Sequence, residues 1–85
     1  MMYEVVISET AERQLKKLER NIQDRILSTL ERIKIRPEHF VERLVESGLY
    51  KLRIGDYRAI LNLDKNKFLI SVLKVGHRKN IYDKF

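Results

Sequence analysis

The 85-residue chain contains no cysteine, no tryptophan, a single proline and three glycines. The absence of cysteine excludes disulfides, thiolate metal sites and cysteine nucleophiles. The two histidines, His39 and His77, are isolated in the sequence and do not have the spacing of metal ligands. The longest apolar run, residues 68–73, is far too short to span a bilayer. We therefore expect no metal, no small-molecule cofactor and no membrane partner.

Nothing at the N-terminus resembles a signal peptide, because a short strand and an amphipathic helix begin almost at once. The chain is 44% hydrophobic and 35% charged, which is typical of a soluble globular protein. Its length suits one domain over residues 1–85, and no repeat, low-complexity segment or linker divides it. The default expectation is a cytoplasmic location.

The net charge of +6 is concentrated in one half of the chain. Residues 1–48 carry nine Lys/Arg and nine Asp/Glu, whereas residues 49–85 carry nine Lys/Arg and three Asp. Localised positive charge favours a polyanionic partner, most commonly nucleic acid. An anionic membrane surface would require a basic amphipathic helix, and the helices predicted here lie in the neutral half.

Residues 49–63 predict two strands joined by a two-residue turn at Gly55-Asp56. A glycine in the first central position suits a type II′ turn, and a positive φ at Asp56 would allow type I′ instead. Side chains alternate across a sheet, so one face collects the apolar residues and forms the core. These residues are Tyr50, Leu52, Ile54, Tyr57, Ala59, Leu61 and Leu63.

The opposite face of this hairpin carries Lys51, Arg53 and Arg58, with the two arginines directly opposite each other. Like charges in that arrangement destabilise a sheet by up to about 1 kcal/mol. An anion bound between them would reverse the sign of the interaction, so the pair predicts a phosphate or carboxylate site. The alternative is that both arginines extend into solvent, which surface charges do at little cost.

Residues 3–7 predict a strand, and Ser8 is a suitable N-cap for the helix that follows. That helix has one apolar stripe, formed by Ala11, Leu15 and Leu18.

A second helix is expected to begin after an N-cap at Asn21, with Asp24 as its partner in a partial capping box. It should end near Arg36, because Pro37 cannot continue the hydrogen-bond ladder. Residues 37–48 are interpreted as a loop with one helical turn, in which His39 is an exposed structural residue.

A turn at Lys65-Asn66 precedes the last predicted strand, residues 68–75, and brings residues 76–82 beside the two arginines. In this register Phe68, Ile70 and Val72 join the core face. Leu69, Ser71, Leu73 and Val75 would share the outer face with Arg58, and so apolar a surface predicts a macromolecular partner. The predicted fold class is α+β with element order β-α-α-β-β-β, in which two antiparallel helices pack on one face of a small, mainly antiparallel sheet.

Two segments, YKLRIGDYR at residues 50–58 and VGHRKNIY at residues 75–82, resemble the RelE/ParE superfamily of toxins from type II toxin–antitoxin systems. The predicted element order matches that fold over nearly the whole chain. The resemblance implies a single RelE-like toxin domain over residues 1–85. It also implies a ribosome-dependent messenger-RNA endonuclease that inhibits translation and is neutralised by a cognate antitoxin.

The resemblance further implies the site residues. Lys51 and Arg53 correspond to the basic pair on the second strand, and Arg58 to the hairpin arginine. Arg78 corresponds to the arginine after the last strand, and Tyr82 to the tyrosine beyond it. The implied chemistry is attack by a ribose 2′-hydroxyl on the adjacent phosphate.

In this scheme Arg58 and Arg78 stabilise the developing negative charge. Lys51 protonates the leaving oxygen or neutralises charge, and Tyr82 positions or deprotonates the 2′-hydroxyl. RNA contacts are expected from Lys51, Arg53, His77 and Lys79.

The chain departs from some relatives at Arg53, where they carry a second lysine. An arginine side chain stays charged in proteins and is a poor proton donor. The general acid would then be Lys51 or His77, although His77 is also interpretable as a structural residue at the strand end.

Two other functions remain open at this stage. The first is inhibition of DNA gyrase by a ParE-like toxin, which shares the fold but not the chemistry. The second is non-enzymatic RNA binding through the same basic face.

Overall fold

The computed structural model describes residues 2–45 and 47–81. The helices are α1 (Glu9–Lys16) and α2 (Arg20–Arg32), and a 3₁₀ turn covers Pro37–His39. The strands are β1 (Glu4–Ile7), β2 (Val41–Arg43), β3 (Tyr50–Ile54), β4 (Tyr57–Asp64) and β5 (Leu69–His77). Within the described residues the strands form one sheet in the order β1-β5-β4-β3-β2. The β1–β5 pair is parallel and the other pairs are antiparallel. The predicted α+β class is confirmed.

Both helices pack their apolar stripes on the same face of the sheet. Ala11 and Leu15 of α1 and Ile26 and Leu30 of α2 are buried in the cluster that also contains the inward side chains of β3, β4 and β5. The residues that the sequence assigns to the core face of the hairpin all belong to this cluster or pack against it. None of the helices in the described part of the chain is long and apolar enough to cross a membrane.

The predicted start and end of the second helix were wrong. The N-cap is Glu19 rather than Asn21, and it makes no side-chain capping bond. Asp24 forms an ion pair with Arg20 at 3.5 Å instead of a capping box. The helix ends at Arg32, four residues before the predicted end, with Ile33 as its C-cap; the Lys34 carbonyl that follows accepts from the Tyr3 amide at 2.9 Å.

Strand β2 lies within the segment that the sequence assigned to a loop. It pairs with β3 so that Val41 faces Leu52 and Glu42 faces Lys51. Three residues are too few to display a strand's alternation in sequence, and β2 forms because β3 offers a free edge. The helical turn predicted in this segment is present as the 3₁₀ turn.

The register of β5 also differs from the prediction. The turn before it covers residues 65–68, so Phe68 does not lie on the core face and β5 begins at Leu69. Ile70 and Val72 are buried in the core as predicted. An irregularity beside Ile60/Leu61 then adds one residue to β5, so that Leu61 pairs with Val72 and Ile60 with Lys74.

One extra residue exchanges the two faces of a strand. Val75 therefore pairs with Ala59 and is buried in the core. Lys74 lies on the outer face, where the prediction had placed Leu73 and Val75. The outer face is consequently less apolar and more basic than predicted.

Helix α1 satisfies the backbone of β5 where β1 no longer pairs with it. The Ser8 hydroxyl donates to the Leu73 carbonyl at 3.1 Å and also accepts from the Ala11 amide at 3.1 Å. Gln14 Oε1 accepts from the Val75 amide at 2.9 Å. Ser8 therefore caps α1 and stabilises the irregular part of β5 with the same oxygen.

We expect Ser8→Ala to lower the free energy of unfolding by about 1–2 kcal/mol, because it removes both the N-cap and the partner of the Leu73 carbonyl. Urea denaturation followed by circular dichroism measures this loss. The control is Ser28→Ala on the exposed side of α2, where the hydroxyl bonds only to the Arg25 carbonyl. The control should leave the midpoint unchanged or raise it slightly, and equal midpoints for the two variants would contradict the prediction.

Candidate nucleic-acid interface

The turn between β3 and β4 fixes the register of the basic residues. Gly55 has a φ of 58°, and Phe68 alone among the described non-glycine residues has a positive φ. Asp56 therefore does not have the positive φ that a type I′ turn needs, and the turn is type II′. Arg53 lies opposite Arg58, and Lys51 opposite Ile60, as the sequence predicts.

Arg58 is held by the turn itself. Its side chain reaches back so that Nη1 donates to the Gly55 carbonyl and to the Tyr57 carbonyl, each at 2.7 Å. The residue is only 5% exposed, while Arg53 across the strand is exposed. The two arginines thus do not lie side by side in solvent: one is fixed against backbone carbonyls, whose partial negative charge offsets its own, and the other extends outward.

Lys51 and Lys74 extend the positive charge over the outer face on either side of Ile60. Both pair with Ile60, from β3 and from β5 respectively. The Lys51 Nζ also lies 3.2 Å from Oε1 of Glu42, its neighbour on β2. Glu42 is largely exposed and Lys51 is mostly buried, so this ion pair holds the ammonium against the sheet.

A groove of about 460 Å³ opens on this face. Its size falls within the range of small-ligand clefts, roughly 300–1,000 Å³. The strands β3 and β4 provide its basic floor, and the 3₁₀ turn with β2 provides its wall. The groove is lined by His39, Phe40, Val41, Glu42, Lys51, Arg53 and Arg58. Three cations and one carboxylate therefore meet in a concave site built mainly on paired strands.

The C-terminal segment approaches the same site through β5. Gly76 pairs with Arg58, and the Arg78 amide donates to the Asp56 carbonyl at 2.8 Å. A Cβ on Gly76 would lie 3.4 Å from Cδ1 of Ile81, which is buried, so the chain turns back onto the outer face there. The backbone of Arg78 is thereby fixed beside the turn that holds Arg58, and its side chain is exposed.

His77 is placed differently from the arginines. It pairs with Tyr57 on the helix-facing side of the sheet, and the two rings meet edge to face with their centroids 5.3 Å apart. Its Nδ1 accepts from the Lys79 amide at 3.1 Å. His77 does not line the groove, and Lys79 lies in the exposed turn that follows. Tyr82 lies outside the described residues.

The structure thus brings Lys51, Arg53 and Arg58 into one groove, whereas Arg78 does not line the groove and has its backbone beside the turn between β3 and β4. Sequence reasoning missed three residues of the same face: His39, Glu42 and Lys74. His39 and Glu42 depend on the short strand β2, and Lys74 on the extra residue in β5. No pattern in the sequence indicated either the three-residue strand β2 or the irregularity in β5.

Comparison with solved structures defines the class of protein to which this fold belongs. A chain of the toxin–antitoxin complex RelBE2 from Mycobacterium tuberculosis is 26% identical, with a TM-score of 0.86 over 92% of this chain and 100% of that one. A chain of the archaeal RelE–RelB complex from Pyrococcus horikoshii is 30% identical, with a TM-score of 0.79 over 94% and 99%. The E. coli toxin RelE, solved as a mutant in the free state, shares the fold at 24% identity and a TM-score of 0.78, over 95% and 88%.

Residues 5–82 match the model of a family described as the ParE toxin of the type II toxin–antitoxin system parDE, and the chain belongs to this family. The resemblance to the RelE/ParE superfamily is thereby confirmed. A comparison with curated protein sequences found no match.

Arg58 donates to two backbone carbonyls, whereas Arg53 is exposed, so the same substitution should affect stability differently at the two positions. We expect Arg58→Lys to lower the free energy of unfolding by about 1–3 kcal/mol, because an ammonium cannot reproduce the planar guanidinium's bonds to both carbonyls. The same change at Arg53, which is exposed, should alter stability by less than about 0.5 kcal/mol. Urea denaturation of the two variants measures the difference, and similar losses at both positions would argue against a structural role for the Arg58 bonds.

Proposed function

We propose that this protein is the toxin of a type II toxin–antitoxin system that cleaves messenger RNA on the ribosome and so inhibits translation. The observation that carries this proposal is the groove in which Arg58, fixed against backbone carbonyls, meets Lys51 and Arg53. Family membership supports the toxin assignment. The RelE relatives at 26% and 30% identity support the choice of RNA cleavage.

The groove suits attack by a ribose 2′-hydroxyl on the adjacent phosphate. The new O2′–P bond forms as the P–O5′ bond breaks, which leaves a 2′,3′-cyclic phosphate and a 5′-hydroxyl. Negative charge accumulates on the phosphorus oxygens in between, and cations already in position can remove several kcal/mol from the barrier. Arginine suits this task because its planar fork binds two phosphate oxygens at once. We assign Arg58 and Arg78 to it.

The remaining residues divide between proton transfer and RNA binding. Lys51 is the proton donor to the leaving 5′-oxygen, because the arginines retain their protons and Glu42 holds the Lys51 ammonium in the groove. Tyr82 positions the 2′-hydroxyl, and Arg53 contacts the RNA backbone. Lys79 extends these contacts along the exposed turn. His77 is not included, because its position on the helix side of the sheet separates it from Arg58.

We further propose that a cognate antitoxin neutralises the protein. The relatives from Mycobacterium tuberculosis and Pyrococcus horikoshii were solved as toxin–antitoxin complexes, which supports this proposal. The other macromolecular partner is messenger RNA held by the ribosome, and a target of that kind places the protein's action in the cytoplasm.

Inhibition of DNA gyrase is the second candidate function. The family description, which names the ParE toxin of parDE, is the observation that favours it. The cations that converge on one concave site favour the nuclease, since inhibition by binding alone does not require charges focused on a phosphate.

We expect the purified protein to cut messenger RNA on translating ribosomes and to leave naked RNA of the same sequence essentially intact. A shallow basic groove that does not itself align the 2′-hydroxyl with the phosphate should be slow until the ribosome orients the substrate. Primer extension on both substrates, with a gyrase supercoiling assay in parallel, measures this. Equal cutting of both RNAs would refute ribosome dependence. No cutting together with loss of supercoiling would identify the gyrase inhibitor instead.

Arg78→Ala should reduce cleavage on the ribosome by about 10²–10³-fold and abolish growth inhibition, because it removes a cation aimed at the developing charge. The fold should stay intact, since only the backbone of Arg78 contacts the Asp56 carbonyl. The matched control is Arg13→Ala, an exposed arginine on α1 that pairs with Glu9. The control should remain toxic, and unchanged toxicity of the Arg78 variant would remove that residue from the site.

A further inference from the structure

We propose that His39 is the general base that takes the proton from the 2′-hydroxyl. The inference rests on the proposed nuclease function and assigns a role that neither the family match nor the charge pattern of the hairpin supplies. It starts from the position of His39 among the residues that line the basic groove, which also include Lys51, Arg53 and Arg58.

Local structure fixes where His39 stands. Pro37 is buried and begins the 3₁₀ turn, whose backbone is closed by bonds from the His39 amide to the Arg36 carbonyl at 3.1 Å and from the Phe40 amide to the Pro37 carbonyl at 3.0 Å. Strand β2 starts at Val41 and is locked to β3 by its register. The backbone of His39 is therefore anchored on both sides, and the residue is exposed and lines the groove.

The chemistry of the groove leaves few groups that can accept a proton. Arginines do not give up their protons at neutral pH, and Lys51 is needed as a donor. The carboxylate of Glu42 is 3.2 Å from the Lys51 ammonium and is committed to that ion pair. An imidazole ordinarily changes charge between about pH 5 and 8, so it is available as a neutral acceptor at physiological pH. Among the described lining residues His39 is the side chain that combines that chemistry with access to the groove.

The proton balance of the step is then complete. His39 takes the 2′-hydroxyl proton as the O2′–P bond forms, and Lys51 gives a proton to the 5′-oxygen as the P–O5′ bond breaks. His39 is left as an imidazolium and Lys51 as an amine, and exchange with water restores both. The nearby arginines stabilise the phosphorus oxygens and undergo no change in protonation.

The charged side chains near His39 come from several elements. Its own turn and the residue before it contribute Glu38 and Arg36, which line a neighbouring concavity together with His39. The groove side contributes Glu42 from β2, Lys51 and Arg53 from β3, and Arg58 from β4. Because a base must be neutral to act, the cleavage rate should fall towards acid pH, where an imidazole gains a proton.

The test is single-turnover cleavage of messenger RNA on ribosomes between about pH 5.5 and 8 by the wild type, His39→Ala and His39→Gln. Both variants should cut about 10²–10⁴-fold more slowly than the wild type at neutral pH and should lose the decline in rate towards acid pH. Added imidazole should restore part of the rate of His39→Ala, which a purely structural role of His39 would not allow. Glu9→Ala, which removes an exposed carboxylate on α1 at the other face of the sheet, is the control and should cut at the wild-type rate with the wild-type pH profile.

Three outcomes would overturn the inference. The first is wild-type cleavage by both His39 variants. The second is slower cleavage that keeps the acid decline and gains nothing from imidazole. The third is loss of the acid decline in Glu42→Gln or His77→Ala instead. Failure of the proposed function itself looks different, because the wild-type protein would then not cut messenger RNA on ribosomes at any pH.

Discussion

The pairing of β4 with both of its neighbours is the constraint on which the rest of the molecule depends. β4 lies between β3 and β5, and its register with β3 sets Arg58 opposite Arg53. Its register with β5 contains one extra residue near Leu73, and that residue decides which side chains meet Arg58. Without the extra residue, Val75 would pair with Arg58. With the extra residue, Gly76 pairs with Arg58 and Val75 is buried in the core. The cross-strand neighbour of Arg58 is therefore a residue without a side chain.

The irregularity leaves two backbone groups of β5 without partners in the sheet, and Ser8, the N-cap of α1, and Gln14 within α1 bond to them. The Leu73 carbonyl and the Val75 amide point to the side that β1 no longer covers, and they bond to Ser8 and Gln14. Buried backbone groups left without partners would each cost about 1–3 kcal/mol. The first turns of α1 and the geometry of the groove are therefore linked, although they lie on opposite faces of the sheet.

The parts of the structure that could be predicted are those set by local chemistry. Ser8 as an N-cap, the apolar stripe of α1, the Gly55-Asp56 turn and the register of β3 with β4 all follow from neighbouring residues, and all are confirmed. The start of α2 at Arg20, the strand β2 and the extra residue in β5 depend on contacts between distant segments, which one sequence does not display. The cations of the candidate site were accessible because they lie on the hairpin. His39 and Glu42 were not, because their place in the groove depends on β2.

The parallel pair of β1 and β5 has a consequence for the order in which the molecule is assembled. Ser8 and Leu73 are separated by 65 positions in the sequence, so their bond closes a long loop, whereas β3 and β4 meet across two residues. Local pairings form quickly and distant ones slowly. The hairpin that carries Arg53 and Arg58 can therefore form before the sheet is closed, and the sheet is complete only once β5 pairs with β1.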